Sequence, residues 1–215
     1  MKKVLISGMV AAIFFSGCAS KNKDVELTES EEDKVIEIGE KSANFLFKNI
    51  KGELQRALIK EGPYAAVNVC SARALKITKK VEKALNHGIK IKRTSLKYRN
   101  PLNAPDKYEL QALKYFETYY KEHKRLPDYY IQTVKEGSKL YYRYYKPLKV
   151  GSLCLTCHGQ GIDPMLKKII KERYPQDRAM GYKLGDFRGV IRVSIPAKMI
   201  KERKEKFIFP FINLK

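Results

Sequence analysis

The stretch "GYKLGDFRGVIRVSIP", residues 181–196, passes from turn glycines into alternating apolar and polar positions, with Ile191, Val193 and Ile195 on one face. That period of two marks a strand with one face buried. "IKIKRTSL", residues 89–96, alternates in the same way, and "KLYYRYYKPL", residues 139–148, reads as a further strand with aromatic residues on both faces. Two long helices followed by strands in the later half make the class α+β and weigh against an all-helical bundle.

The first helix announces itself at Thr28 and Glu31, which have capping-box spacing, and continues through Val35, Ile38, Phe45, Ile50, Leu54 and Ala57. "EGP" at 61–63 is expected to end it, and Pro63, a favoured first-turn residue, to open the second. That second helix carries Val67, Cys70, Ala74, Ile77, Val81 and Ala84 at spacings that put Cys70 in the buried stripe, and His87 and Gly88 close it. "RNPLNAP" (99–105) is a loop rich in turn formers, Asp106 leads into a helix through Leu110, Leu113 and Phe116, and 164–174 reads as a short helix. A basic amphipathic segment and the apolar "FIFPFINLK" (207–215) finish the chain.

"SLCLTCHGQG", residues 152–161, gathers two of the four cysteines and one of the three histidines as C-x-x-C-H. Zinc needs four ligands, and the second Cys or His pair of a zinc module is missing. A thioredoxin-type C-x-x-C sits early in a βαβ unit, whereas this one comes late, after a helical half, with an added histidine. Covalent haem accounts for the spacing. One helical turn presents both sulfurs to the two vinyl groups of one porphyrin edge, and the adjacent imidazole reaches the iron. Cys154 and Cys157 are therefore expected to attach one haem c, with His158 as its proximal ligand.

The residues alone leave the distal side open. Cys70 reads either as a small buried residue or as a ligand. Met165, Met180, Met199, His87 and His123 are the other candidates, Met180 the best placed of them. Arg93 and Arg99 flank the turn-rich loop and are expected to meet the haem propionates, since guanidinium forks suit carboxylates; arginines that only stabilise the fold are the plainer alternative.

The front of the chain, MKK followed by twelve mostly apolar residues from Val4 to Phe15, has the form of a secretory leader. Twelve helical residues reach ~18 Å, too short for ~30 Å of hydrocarbon. "FSGC" (15–18) resembles the lipobox of bacterial lipoproteins, with Phe15 where leucine is usual. Residues 1–17 are thus expected to be a lipoprotein signal peptide, Cys18 the lipidated residue, 18–30 a polar tether and 31–215 the haem domain. Ala19 after the cysteine, in place of aspartate, favours the outer membrane. The net charge of +21 would suit nucleic acid, but an exported protein meets no genome. Anionic lipid headgroups or an acidic protein partner fit better, beside the bland reading of a solvated lysine-rich surface.

Four segments, "AAVNVCSARA" (65–74), "IKRTSLKYRNPLNAPDKYE" (91–109), "CLTCHG" (154–159) and "GYKLGDFRGVIRVSIP" (181–196), together resemble the single-haem c-type proteins with a PAS-like fold. Some members of that family stand free and others form the sensor part of bacterial membrane kinases. The resemblance implies a PAS-like antiparallel sheet flanked by long N-terminal helices and carrying a covalent haem. It also implies a distal cysteine thiolate on the helix of the "VCS" motif, which is Cys70 here.

The expected protein is a periplasm-facing, lipid-anchored mono-haem c-type cytochrome with His/Cys axial ligation, which transfers single electrons or senses redox state. Its partner is an unidentified redox or signalling protein of acidic character. A haem-based sensor of diatomic gas (CO or NO) is the alternative, if the Cys70–iron bond opens on reduction. An enzyme is not expected, because peroxidase-type chemistry needs an open iron and a distal acid–base group.

Overall fold

The computed structural model describes residues 27–202; the leader, Cys18 and the apolar tail at 207–215 lie outside the described residues. Helix α1 (Glu29–Asn68) starts at the expected cap: the Thr28 side chain accepts from the Glu31 N–H while the Glu31 carboxylate accepts from the Thr28 N–H. It breaks at Gly62, whose φ of 77° and ψ of 179° are helix-incompatible, just before Pro63. Glycine tolerates that positive φ without a Cβ clash, so the expected boundary appears as a sharp kink between two helical legs. The second leg runs into a π-helical turn (Val69–Arg73) and then α2 (Ala74–Leu85).

A turn of three positive-φ residues, Asn86 to Gly88, leads into β1 (Lys90–Thr94). Helix α3 (Lys107–His123) follows, with Asp106 and Glu109 forming a second capping box that the sequence reading did not single out. Strand β2 (Tyr130–Glu136) was not expected; it pairs with β3 (Lys139–Lys149) as a hairpin around Gly137. The helices α4 (Ser152–His158) and α5 (Pro164–Arg173) come next, then β4 (Phe187–Pro196) and the short α6 (Ala197–Lys201). The four strands form one antiparallel sheet in the order β1-β4-β3-β2. The α+β class holds, and the arrangement is compatible with a PAS-like one.

The sheet has two unlike faces. On one, Ile191, Val193 and Ile195 of β4 and Tyr142 and Tyr144 of β3 pack under Val35, Ile38 and Leu46 of α1 and Val81 and Leu85 of α2. Each such side chain contributes roughly 1.5–3 kcal/mol on burial, so this face dominates the stability. On the other, Tyr145 and Val190 meet Ala112, Leu113 and Phe116 of α3. Beside them runs a charged network: fully buried Glu109 receives Arg192 Nε at 3.0 Å and Lys92 Nζ at 2.7 Å. Arg143 joins Asp106 and Glu136 at 2.8 and 2.6 Å. The tyrosines of β3 therefore belong to the sheet's packing.

Candidate functional site

The C-x-x-C-H motif forms α4, a helix of seven residues bounded by Gly151 and Gly159. So short a helix has little stability of its own. It is pinned from outside. Cys154 and Leu155 pack against Val150, Ala179 and Tyr182, while Cys157 packs against Val67, Leu166, Ile170 and Met180. The two sulfurs thus sit one turn apart, each half-buried, between two apolar clusters.

A loop at 177–182 clasps the end of α4. The Gly181 N–H donates to the Gly159 carbonyl and the Tyr182 N–H to the His158 carbonyl, both at 3.0 Å. His158 Nδ1 donates to the Ala179 carbonyl oxygen at 2.6 Å. A carbonyl only accepts, so the proton resides on Nδ1 and the lone pair on Nε2 is left to ligate a metal. Desolvation, first, and then the positive charges of Arg188 and Arg99 hold the His158 pKa well below its usual value, outweighing the Ala179 hydrogen bond. The ring is neutral at neutral pH, the form that binds metal. Tyr182 stands edge-on to it, ring centroids 6.4 Å apart.

Cys70 reaches this region on the π-helical turn. Its free thiol is half-buried, and it lies close enough to Cys157, Arg93 and Tyr174 to weigh electrostatically on all three. The expected stripe placed it in the core; the wider turn leaves it half-exposed beside the motif, between buried Val69 and Ala74. Single π turns inside helices recur at functional sites because they re-aim one side chain. Burial pushes the Cys157 thiol pKa up, with Arg99 pulling against it.

Three arginines surround the histidine. Arg93 and Arg188 keep some accessible surface, yet both guanidinium groups are depressed in pKa, by desolvation first, and each weighs on the His158 ring. Arg93 Nε is buried with no hydrogen-bond partner among the described residues, whereas Arg188 Nη1 donates to Ser95 Oγ at 2.9 Å and the Lys97 carbonyl at 3.1 Å. Arg99 differs: its Nη2 donates to the carbonyls of Cys157 (2.6 Å) and Ala179 (3.3 Å) and stands 3.1 Å from Asp177 Oδ2.

Of the other distal candidates, Met180 shares the apolar cluster with Cys157. Met165 is mostly exposed, and Met199 packs on the far sheet cluster. His123 is stacked on Tyr119 and donates its Nδ1–H to the Tyr119 carbonyl, and His87 is exposed in the positive-φ turn. Asp177, Ala179 and Arg188 were missed from the sequence. A backbone carbonyl carries no side-chain signal, and Arg188 sits in a stretch whose alternation already explained it as strand. Among the described residues no group of three or more His, Cys, Asp or Glu side chains is arranged to hold a metal ion, and no helix is long and apolar enough to cross a membrane.

A model of the Tll0287-like family matches residues 21–196. The crystal structure of the cyanobacterial haem protein Tll0287 is similar to this chain at 29% identity and a TM-score of 0.54, over 79% of this chain and 97% of that one. No curated protein matches.

Proposed function

This chain belongs to the Tll0287-like family, and on that premise we propose that it is a mono-haem protein of c type, working in one-electron transfer or redox sensing. The residues present fit the group. His158 has its tautomer fixed with Nε2 available, and Cys154 and Cys157 lie one helical turn apart on the same element. The guanidinium groups of Arg93, Arg99 and Arg188 gather near His158 with the Asp177 carboxylate as a counter-charge, so the region suits a dianion such as a pair of propionates. Arg93 and Arg99 each bury an Nε with no hydrogen-bond partner among the described residues. Arg93 keeps some accessible surface and is the propionate contact favoured here, joined by Arg188, whereas Arg99 is buried with its Nη2 engaged by protein carbonyls. A bound haem supplies a ferric–ferrous couple. The chain's own residues would hold it, Cys154 and Cys157 by attachment and His158 and Cys70 by ligation, with Tyr174 and Tyr182 placed to shield it.

The observation that carries the reading is the neutral, Nδ1-anchored His158 directly after the two cysteines. Export, lipid anchoring at Cys18, a place on the periplasmic side and an acidic protein partner remain part of the proposal, supported by the leader-like start and the charge of +21. Production of the full chain with a c-type haem attachment system tests it. Wild type should keep haem stain on a denaturing gel, and the Cys154→Ala/Cys157→Ala double variant should lose it. Full staining of the double variant sinks covalent attachment; wild type without haem sinks the whole reading.

One observation favours the gas-binding alternative. Cys70 rides on a π-helical turn, and relaxation of that turn to α geometry would withdraw the thiol. A shifted Soret band when CO meets the ferrous protein selects that alternative.

A further inference from the structure

Three residues grip the backbone of Ala179. Asp177 Oδ1 accepts from the Ala179 N–H at 2.8 Å, while the Ala179 carbonyl oxygen accepts from both His158 Nδ1 and Arg99 Nη2, at 2.6 and 3.3 Å. Arg99 is buried at 7% exposure, and the Asp177 side chain is at 2%, so this arrangement is walled off from solvent. The same Nη2 also holds the Cys157 carbonyl. Arg99 is thereby tied to the peptide of an attachment cysteine on one side and to the histidine's hydrogen-bond acceptor on the other.

We infer that Arg99, held in place by Asp177, is a positioning residue that limits the electron-donating strength of His158 by sharing its acceptor carbonyl. The inference rests on the proposed ligation of iron by His158. A ligating histidine that donates its other N–H to a good acceptor gains imidazolate character and becomes a stronger donor to its metal. A carbonyl oxygen has two lone pairs, and a cation on the second draws density away from the first. The Ala179 oxygen is therefore a poorer acceptor for His158 with Arg99 in place than without it. The guanidinium charge, offset only in part by Asp177 at 3.1 Å and shielded little by water because both groups are buried, adds an effect of the same sign, since it disfavours positive charge on the iron. Both contributions favour the ferrous state. The basic arginine thus opposes the thiolate proposed at Cys70, which favours the ferric state.

The test uses the full haem-loaded chain with Arg99→Gln and Arg99→Lys, read by haem stain, reduction potential and the proton resonance of His158 Nδ1–H in the diamagnetic ferrous protein. Glutamine removes the charge; the potential should fall and the Nδ1–H resonance move downfield as the carbonyl reverts to a stronger acceptor. Lysine keeps the charge without the fork, so its potential should lie between the two. An unmoved potential and resonance in haem-stained Arg99→Gln overturns the inference and leaves Arg99 structural. A lowered potential with an unmoved Nδ1–H overturns it too, in favour of a direct propionate contact. If Arg99→Gln does not fold, Arg99→Lys must still move Nδ1–H downfield, and an unmoved resonance there overturns the inference. Absence of haem from the wild-type chain is a separate result, which sinks the proposed function.

Discussion

Gly39 of α1 lies flat against the ring of Tyr144 in β3: a Cβ at Gly39 would fall on the ring's own carbon atoms. This close approach lets the longest helix settle onto the sheet and brings Glu40 to the Tyr144 hydroxyl at 2.6 Å. Gly39→Ala should force the two elements apart and cost ~1–3 kcal/mol, as overpacked cores do. Urea unfolding measures it, and an unchanged midpoint would refute the contact.

Glu109 is fully buried and receives Lys92, Arg192 and the Asp106 N–H. Glu109→Ala strands the Arg192 guanidinium in the sheet's charged face. Breaking a buried pair from one side costs ~3–5 kcal/mol, so this variant should be among the least stable single substitutions. Thermal unfolding of Glu109→Ala against an exposed control such as Glu37→Ala decides it.

The Arg143 hydrogen bond to Glu136, first, holds that carboxyl below the usual glutamate range, against the opposing effect of burial. A depressed native pKa adds stability that is complete above the unfolded-state value, near 4.3, and is lost as pH falls through the native value. Glu136→Gln should therefore lower stability at neutral pH and flatten its decline below about pH 4.3. Denaturant midpoints across that range provide the check; an equally steep acid decline would show that the pair contributes nothing.

Cys70 has a sharp test. If it ligates iron, ferric wild type shows a low-spin thiolate spectrum that Cys70→Ala loses, with a higher reduction potential because an electron-rich donor is gone. Electron paramagnetic resonance of the two ferric proteins is the measurement. An unchanged spectrum transfers the distal role to Met180, which shares the cluster around Cys157.

Several features were legible in the residues because they are local. The cap at Thr28, the boundary at Gly62–Pro63, the alternation in β1 and β4 and the C-x-x-C-H spacing all follow from backbone sterics and short-range periodicity. Strand β2 escaped because its side chains are mostly half-buried and polar, so its pairing with β3 gives it strand form with little apolar alternation.

The sequence by itself determined the class, the order of the main elements and the motif that bears the chemistry. Only the tertiary structure decided what surrounds that motif: the Ala179 carbonyl that orients His158, the engagement of Arg99 with protein oxygens, and the half-buried setting of Cys70. The reason is physical. Hydrogen bonds to backbone carbonyls and the desolvation of three arginines from separate segments arise between residues far apart in the chain, and their energies exist only once packing has excluded water from around them.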